Sequence, residues 1–189
     1  MKGVSGGKAL PDIPTLLQAC LVPDEWADTA PLITQLAHVW DQQFFTREEF
    51  LRMCKWKDPR ELRRRDLQAN SDAELRRYSE KAFTAADEAR RALYLCQLKG
   101  VGLPVASAIL TLTNPQAYGV IDIRVWQLLC LYGEFDYDTG GTNLQLLHWL
   151  EYLDKLREWA QLLNLSARTV ERTLFQHHRD IQVGTLYGN

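Results

Sequence analysis

Three features of this 189-residue chain predict an all-α fold. Helix-capping signals recur ahead of amphipathic runs, apolar residues return at helical spacing, and no segment alternates as a strand would. The first segment expected is Asp12 to Val22. A longer one, Trp26 to Gln43, carries Leu32, Leu36, Val39 and Trp40 at helical intervals. Thr46-Arg-Glu-Glu49 is a capping box that opens a helix through Lys55. Asp58-Pro59 reads as an N-cap with proline at the first helical position. Ser71-Asp-Ala-Glu74 is a second capping box, leading through Tyr78 towards Phe83.

Ala85 to Leu98 is expected to turn Ala89, Ala92, Leu93 and Cys96 to one face. An apolar, small-residue helix follows over Pro104 to Leu112, and another runs from Asp122 to about Tyr132. The acids and glycines between Tyr132 and Asn143 mark a loop. Beyond it Leu144 to Leu163 has an inner side of Leu147, Leu150, Leu153 and Leu156. Ser166 caps a last helix to about His178, and the His177-His178-Arg179-Asp180 run is expected to be a surface helix end. Adjacent histidines do not share a helix face, so they do not read as a metal pair.

Composition bounds the function. A chain that is 46% hydrophobic and 24% charged is ordinary for a globular protein. No apolar run approaches the ~18 residues needed to span a bilayer. The first residues, 1–10, lack the apolar centre of a signal peptide and read as a flexible lead-in to a single helical domain over 11–189. The expected setting is intracellular, cytoplasmic or nucleoid-associated. Cys20, Cys54, Cys96 and Cys130 stand singly among apolar helical residues, as buried free thiols do, and no metal or cofactor is expected. Net charge is −2, which provides no global attraction for a polyanion. Residues 45–104 nevertheless carry 14 Lys+Arg against 10 Asp+Glu, leaving a net of −6 on the remainder.

Two motifs stand out. Leu98-Lys99-Gly100-Val101-Gly102 is a glycine hairpin between two helices, at about 85–112. Gly100 and Gly102 can take positive φ at little cost, so the chain can reverse sharply there. The amides that begin the next helix then face outward and suit an anion, with the Lys99 charge beside them. Further on, Asp122 opens a helix in Ile121-Asp122-Ile123-Arg124-Val125-Trp126. Separately, Lys55-Trp56-Lys57-Asp58-Pro59-Arg60 interleaves an aromatic ring with cations, a combination that stacks a base while holding phosphates. Trp56, Lys57 and Arg60 are candidates to line a base pocket.

The hairpin with the downstream aspartate resembles the helix-hairpin-helix motif of the DNA glycosylase superfamily known as HhH-GPD. Its members carry Leu-x-Gly-Val-Gly followed by Val-Asp-x-His. The resemblance covers about residues 93–130 and implies a two-lobed helical fold with the substrate base entering between the lobes. It also implies that Lys99, Gly100, Val101, Gly102 and Arg124 bind duplex DNA and that Asp122 is catalytic. Arg124 stands where members have histidine, and it keeps a cation able to grip phosphate. Asp122 is at once a favoured N-cap and the match to the catalytic aspartate, roles that coexist. Pro104 occupies the position at which bifunctional members have a nucleophilic lysine. The clustered cysteines of the iron–sulfur members are likewise missing. The implied activity is that of a monofunctional glycosylase excising a damaged or modified base, the alternative being a non-catalytic DNA-binding module.

Overall fold

A computed structural model describes residues 10–58, 64–136, 140–183 and 186 of the chain. Among these the structure is all-helical, with ten helices and no strand. They are α1 (Ile13–Ala19), α2 (Ala30–Gln42), α3 (Arg47–Lys57), α4 (Arg64–Gln68) and α5 (Asp72–Phe83), followed by α6 (Glu88–Leu95), α7 (Leu103–Thr113), α8 (Ile123–Tyr132), α9 (Leu146–Leu163) and α10 (Ala167–Ile181). None is long and apolar enough to cross a membrane.

Local chemistry sets most of these boundaries. Both capping boxes form: Thr46 with Glu49 opens α3, and Ser71 with Glu74 opens α5. Asp12, Asp87, Asp122 and Ser166 each accept a hydrogen bond from the first turn that they cap. The second helix begins later than Trp26, because Pro31 sits in its first turn and Thr29 becomes the cap. Asp58 is the C-cap of α3, and the helix start expected at Asp58-Pro59 would fall on residues outside the described ones.

Helix α7 is the axle of the molecule. Every residue from Val105 to Thr113 is buried, and α2, α3 and α6 pack around it. Ala106, Ser107 and Ala108 are short enough to let these neighbours come close. Helix α5 closes this group against α6 and α3. A second group forms around α10, which carries α1, α8 and α9. Contact between α6 and α9 joins the groups, and one continuous hydrophobic core runs through both.

Three faces differ from the amphipathic expectation. Leu93 on α6 and Leu147 on α9 point to solvent, while Leu95 takes the inward position on α6. Conversely, His177 and His178 are buried on α10, His178 completely. The reason is tertiary. Helix α8 packs on α10, and in a polar-looking helix end the two histidines lie inside while Arg179 and Asp180 stay exposed.

Candidate functional site

The site begins with the connection between α7 and α8. The Ser107 hydroxyl accepts the Ile121 amide at 3.1 Å, and the Tyr152 hydroxyl donates to the Val120 carbonyl at 2.7 Å. Gly119 lies so tightly on α9 and α10 that a Cβ there would come within 2.5 Å of Leu156 and 2.8 Å of Glu171. Three restraints thus aim the next residue, Asp122. Its Oδ1 accepts the Arg124 amide at 3.1 Å as the N-cap of α8. Its other oxygen, Oδ2, meets the Lys57 Nζ at 2.7 Å. The two side chains keep 17% and 19% of their surface exposed, so the pair is reachable from solvent. Burial pushes the Asp122 carboxyl up, but the Lys57 ammonium, helped by the Arg124 amide, more than offsets this and holds it below the usual carboxylate range.

This pair sits in a cleft of about 1020 Å³ between the two helix groups. The α3 wall supplies Trp56 and Lys57, the α10 wall Arg168, Glu171 and Phe175, and the segment before α2 contributes Trp26. Trp56 is fixed by its indole N–H, which donates to Thr29 Oγ1 at 2.9 Å. The Arg168 guanidinium lies 4.9 Å from the Trp26 ring centroid and 5.4 Å from that of Trp56, close enough for cation–π attraction to both. Arg52, Lys55 and Arg179 add cations to the walls.

Buried charge holds the α10 wall in place. Glu25 receives Arg168 through Nε at 2.9 Å and Nη2 at 3.0 Å, and Arg172 Nη1 at 2.7 Å. Arg168 also pairs with Glu171. Arg172 Nη2 donates to the carbonyls of Val22 and Pro23, both at 2.8 Å. The segment preceding α2 is thereby strapped to α10, and Trp26 is brought edge-on to Phe175 with ring centroids 5.5 Å apart. Burial raises the Glu25 carboxyl, yet Arg168 and Arg172 bring it below its ordinary value. Glu171, fully enclosed, is held above that range by burial despite Arg168.

The hairpin forms as a separate feature, and none of its residues lines the cleft. Gly100 takes positive φ (+80°), whereas Gly102 is extended at φ −102° and ψ 178° as the N-cap of α7. One left-handed residue, Gly100, suffices for the reversal. Asn70 clasps the turn from both sides. Its Oδ1 accepts the Lys99 amide at 2.8 Å, and its Nδ2 donates to the Lys99 carbonyl at 3.0 Å. Val101 is buried, while the Lys99 side chain is exposed and reaches the Ala69 carbonyl at 3.3 Å.

The sequence candidates therefore divide. Asp122, Lys57 and Trp56 converge in the cleft. Lys99, Gly100, Val101 and Gly102 form the hairpin. Arg124 lies beside Asp122 with its guanidinium 5.6 Å from the Phe175 ring and bonded to Gln182, outside the cleft lining. Arg60 lies outside the described residues. Trp26, Arg168 and Glu171 were missed. A signal for Glu171 existed: it shares the face of Val170 and Leu174, which buries charge on an otherwise apolar stripe. Among the described residues no group of His, Cys, Asp and Glu is arranged to hold a metal. Comparison with family models, with curated proteins and with solved structures returns no match to this chain.

Proposed function

We propose that this chain is a monofunctional, HhH-GPD-like DNA glycosylase that excises a damaged or modified base from duplex DNA. The observation that carries the reading is the placement of Asp122, an ionised carboxylate reachable from solvent in a cleft walled by Trp26 and Trp56. A base taken out of a duplex loses its stacking, at a cost of a few kcal/mol, and flat aromatic walls restore part of it. As the N-glycosidic bond breaks, positive charge gathers on the sugar. A carboxylate facing C1′ stabilises that charge and orients the water that completes the displacement. In this reading the two helix groups are the two lobes of the superfamily plan, and the hairpin grips the phosphate backbone. The amides of Gly102 and Leu103 have no acceptor among the described residues, as a phosphate-binding helix start requires.

The second reading, a DNA-binding module without chemistry, is favoured by the same contact seen differently. Lys57 already neutralises Asp122, and the N-cap bond already gives the carboxylate a structural purpose. One experiment separates the two. Duplexes carrying uracil, a thymine mismatch, 8-oxoguanine, hypoxanthine or a methylated purine are incubated with the protein and then treated with hot alkali. Asp122→Asn keeps an N-cap and removes the charge. Base release by the wild type, reduced roughly 100-fold or more in Asp122→Asn, is the expected result. Salt-sensitive duplex binding with no release from any duplex supports the module instead.

A further inference from the structure

We infer that the cleft also binds a free nucleoside 5′-monophosphate, its phosphate held by Arg52, Lys55 and Arg179 and its base laid against Trp26 and Trp56. Such binding goes beyond base excision from a duplex and does not require Asp122 to be catalytic. Part of the charge in the cleft has no counter-charge within it. Lys57 is taken up by Asp122, and Arg168 by Glu25 and Glu171. Arg52, Lys55 and Arg179 line the same cleft and pair with no carboxylate among the described residues. Arg52 donates to the neutral amide of Gln35, while Lys55 and Arg179 are exposed and bonded to no described residue.

The placement suits one compact anion beside a stacked ring. On α3, Arg52 precedes Lys55 by three residues and Trp56 by four, so both stand one helical turn from it. Arg179 comes from α10, the other wall. Among the ionisable residues described on the lining, five cations face three acids, a net of +2. A phosphate monoester carries about −1.5 to −2 at pH 7 and offers three strong acceptor oxygens. Of the three acids, Asp122 and Glu171 are already paired with cations. The third, Asp28, accepts the Thr29 hydroxyl at 3.1 Å, and that hydroxyl in turn accepts the Trp56 indole, so Asp28 helps to fix the ring.

For these three cations a free nucleotide is a better match than a strand. A strand carries a phosphate at every nucleotide and calls for cations spread along a track. Arg52, Lys55 and Arg179 instead gather on one lining with the aromatic walls, and the hairpin lies outside it. The chain as a whole is at −2 and offers a long polyanion no general attraction, whereas a dianion entering the cleft meets the local positive excess. Space is ample: the cleft holds about 1020 Å³, and small-molecule sites run from about 300 to 1,000 Å³. A mononucleotide also arrives with its base unstacked, so no extrusion cost is met.

The test titrates the full chain with the 5′-monophosphates of deoxyadenosine, deoxyguanosine, deoxycytidine, thymidine and deoxyuridine, and with the parent nucleosides. Isothermal titration calorimetry in phosphate-free buffer gives each affinity. At least one nucleotide is expected to bind about 10-fold or more tightly than its nucleoside, the scale of charge-assisted hydrogen bonds. The advantage should vanish in a variant combining Arg52→Gln, Lys55→Gln and Arg179→Gln. Should that variant fail to fold, inorganic phosphate decides on the wild type, where it should compete with the nucleotide. No nucleotide bound, no advantage over the nucleoside, an advantage kept in the variant, or no competition by phosphate overturns the inference. Binding of a DNA oligonucleotide but of no mononucleotide also overturns it and gives the cations to a strand. The two proposals fail separately. Base release from a duplex without mononucleotide binding sinks this inference alone, while mononucleotide binding without base release sinks the glycosylase alone.

Discussion

The hairpin and the cleft are built in opposite ways. Leu98 to Gly102 is a local object, closed by the Val101 amide on the Leu98 carbonyl at 3.1 Å and reversed by a single left-handed glycine. Its distant support comes from one neighbouring stretch, chiefly Asn70, itself the residue before the α5 cap. The cleft depends mainly on contacts between distant segments. Lys57 and Asp122 are 65 residues apart, and Glu25 and Arg168 are 143 apart. A local turn survives many distant changes. A cleft assembled from four segments depends on every strap that holds them, so the two regions should respond to mutation very differently.

The contrast can be broken most forcefully at Glu25. Glu25→Ala leaves Arg172 without its carboxylate and Arg168 with only Glu171, both side chains just 2% exposed. Removing one partner of a buried ion pair costs about 3–5 kcal/mol, because the remaining charge is stranded. Urea unfolding should show that loss, together with increased solvent quenching of tryptophan fluorescence as Trp26 leaves the α10 wall. An unchanged midpoint would mean the strap does not hold the cleft.

A somewhat smaller effect belongs to His178. Burial, with Arg124 and His177 nearby, pushes its imidazole down to about 4, against a partial pull upward from Asp122. The folded state therefore holds it neutral, while the unfolded chain protonates it near 6.5. Unfolded chains bind the extra proton, so this contribution is complete above pH 6.5 and is lost as pH falls from 6.5 towards 4. The loss is about 3 kcal/mol at most. Comparing the pH dependence of urea midpoints for wild type and His178→Leu isolates it. The wild-type curve should fall more steeply across that window, and parallel curves would refute the assignment.

The smallest effect sharpens the comparison from the hairpin side. Lys99 is exposed, so Lys99→Ala should change stability by less than about 0.5 kcal/mol. If the hairpin grips phosphate, the same substitution lowers the slope of log affinity against log salt by about 0.9. Fluorescence anisotropy across a salt series measures both slopes. Identical slopes would remove Lys99 from the proposed DNA-binding surface.

Much of the helical order was legible residue by residue. Thr46 with Glu49 and Ser71 with Glu74 mark helix starts because a side chain satisfies amides one turn away, a contact the chain makes with itself. Asp122 was legible as a cap for the same reason. Trp56 and Lys57 were recognisable as candidates, but nothing in their neighbours indicated that the amine would meet Asp122. The α2 start was misplaced because the helical spacing from Trp26 onward hid the constraint of Pro31. Leu147 and His178 were assigned to the wrong sides because periodicity tells which residues share a face, not which neighbour covers that face.

The sequence by itself determined the all-α class, the caps, the hairpin and the presence of a carboxylate at the head of α8. These follow from hydrogen bonds and backbone preferences that act within one or two helical turns. Only the tertiary structure decided that Lys57 faces Asp122, that Arg168 stands between Trp26 and Trp56, and that His178 is enclosed. Those contacts arise when two groups of helices bury a common core. The partners are chosen by how the helices pack, which no short stretch of sequence encodes.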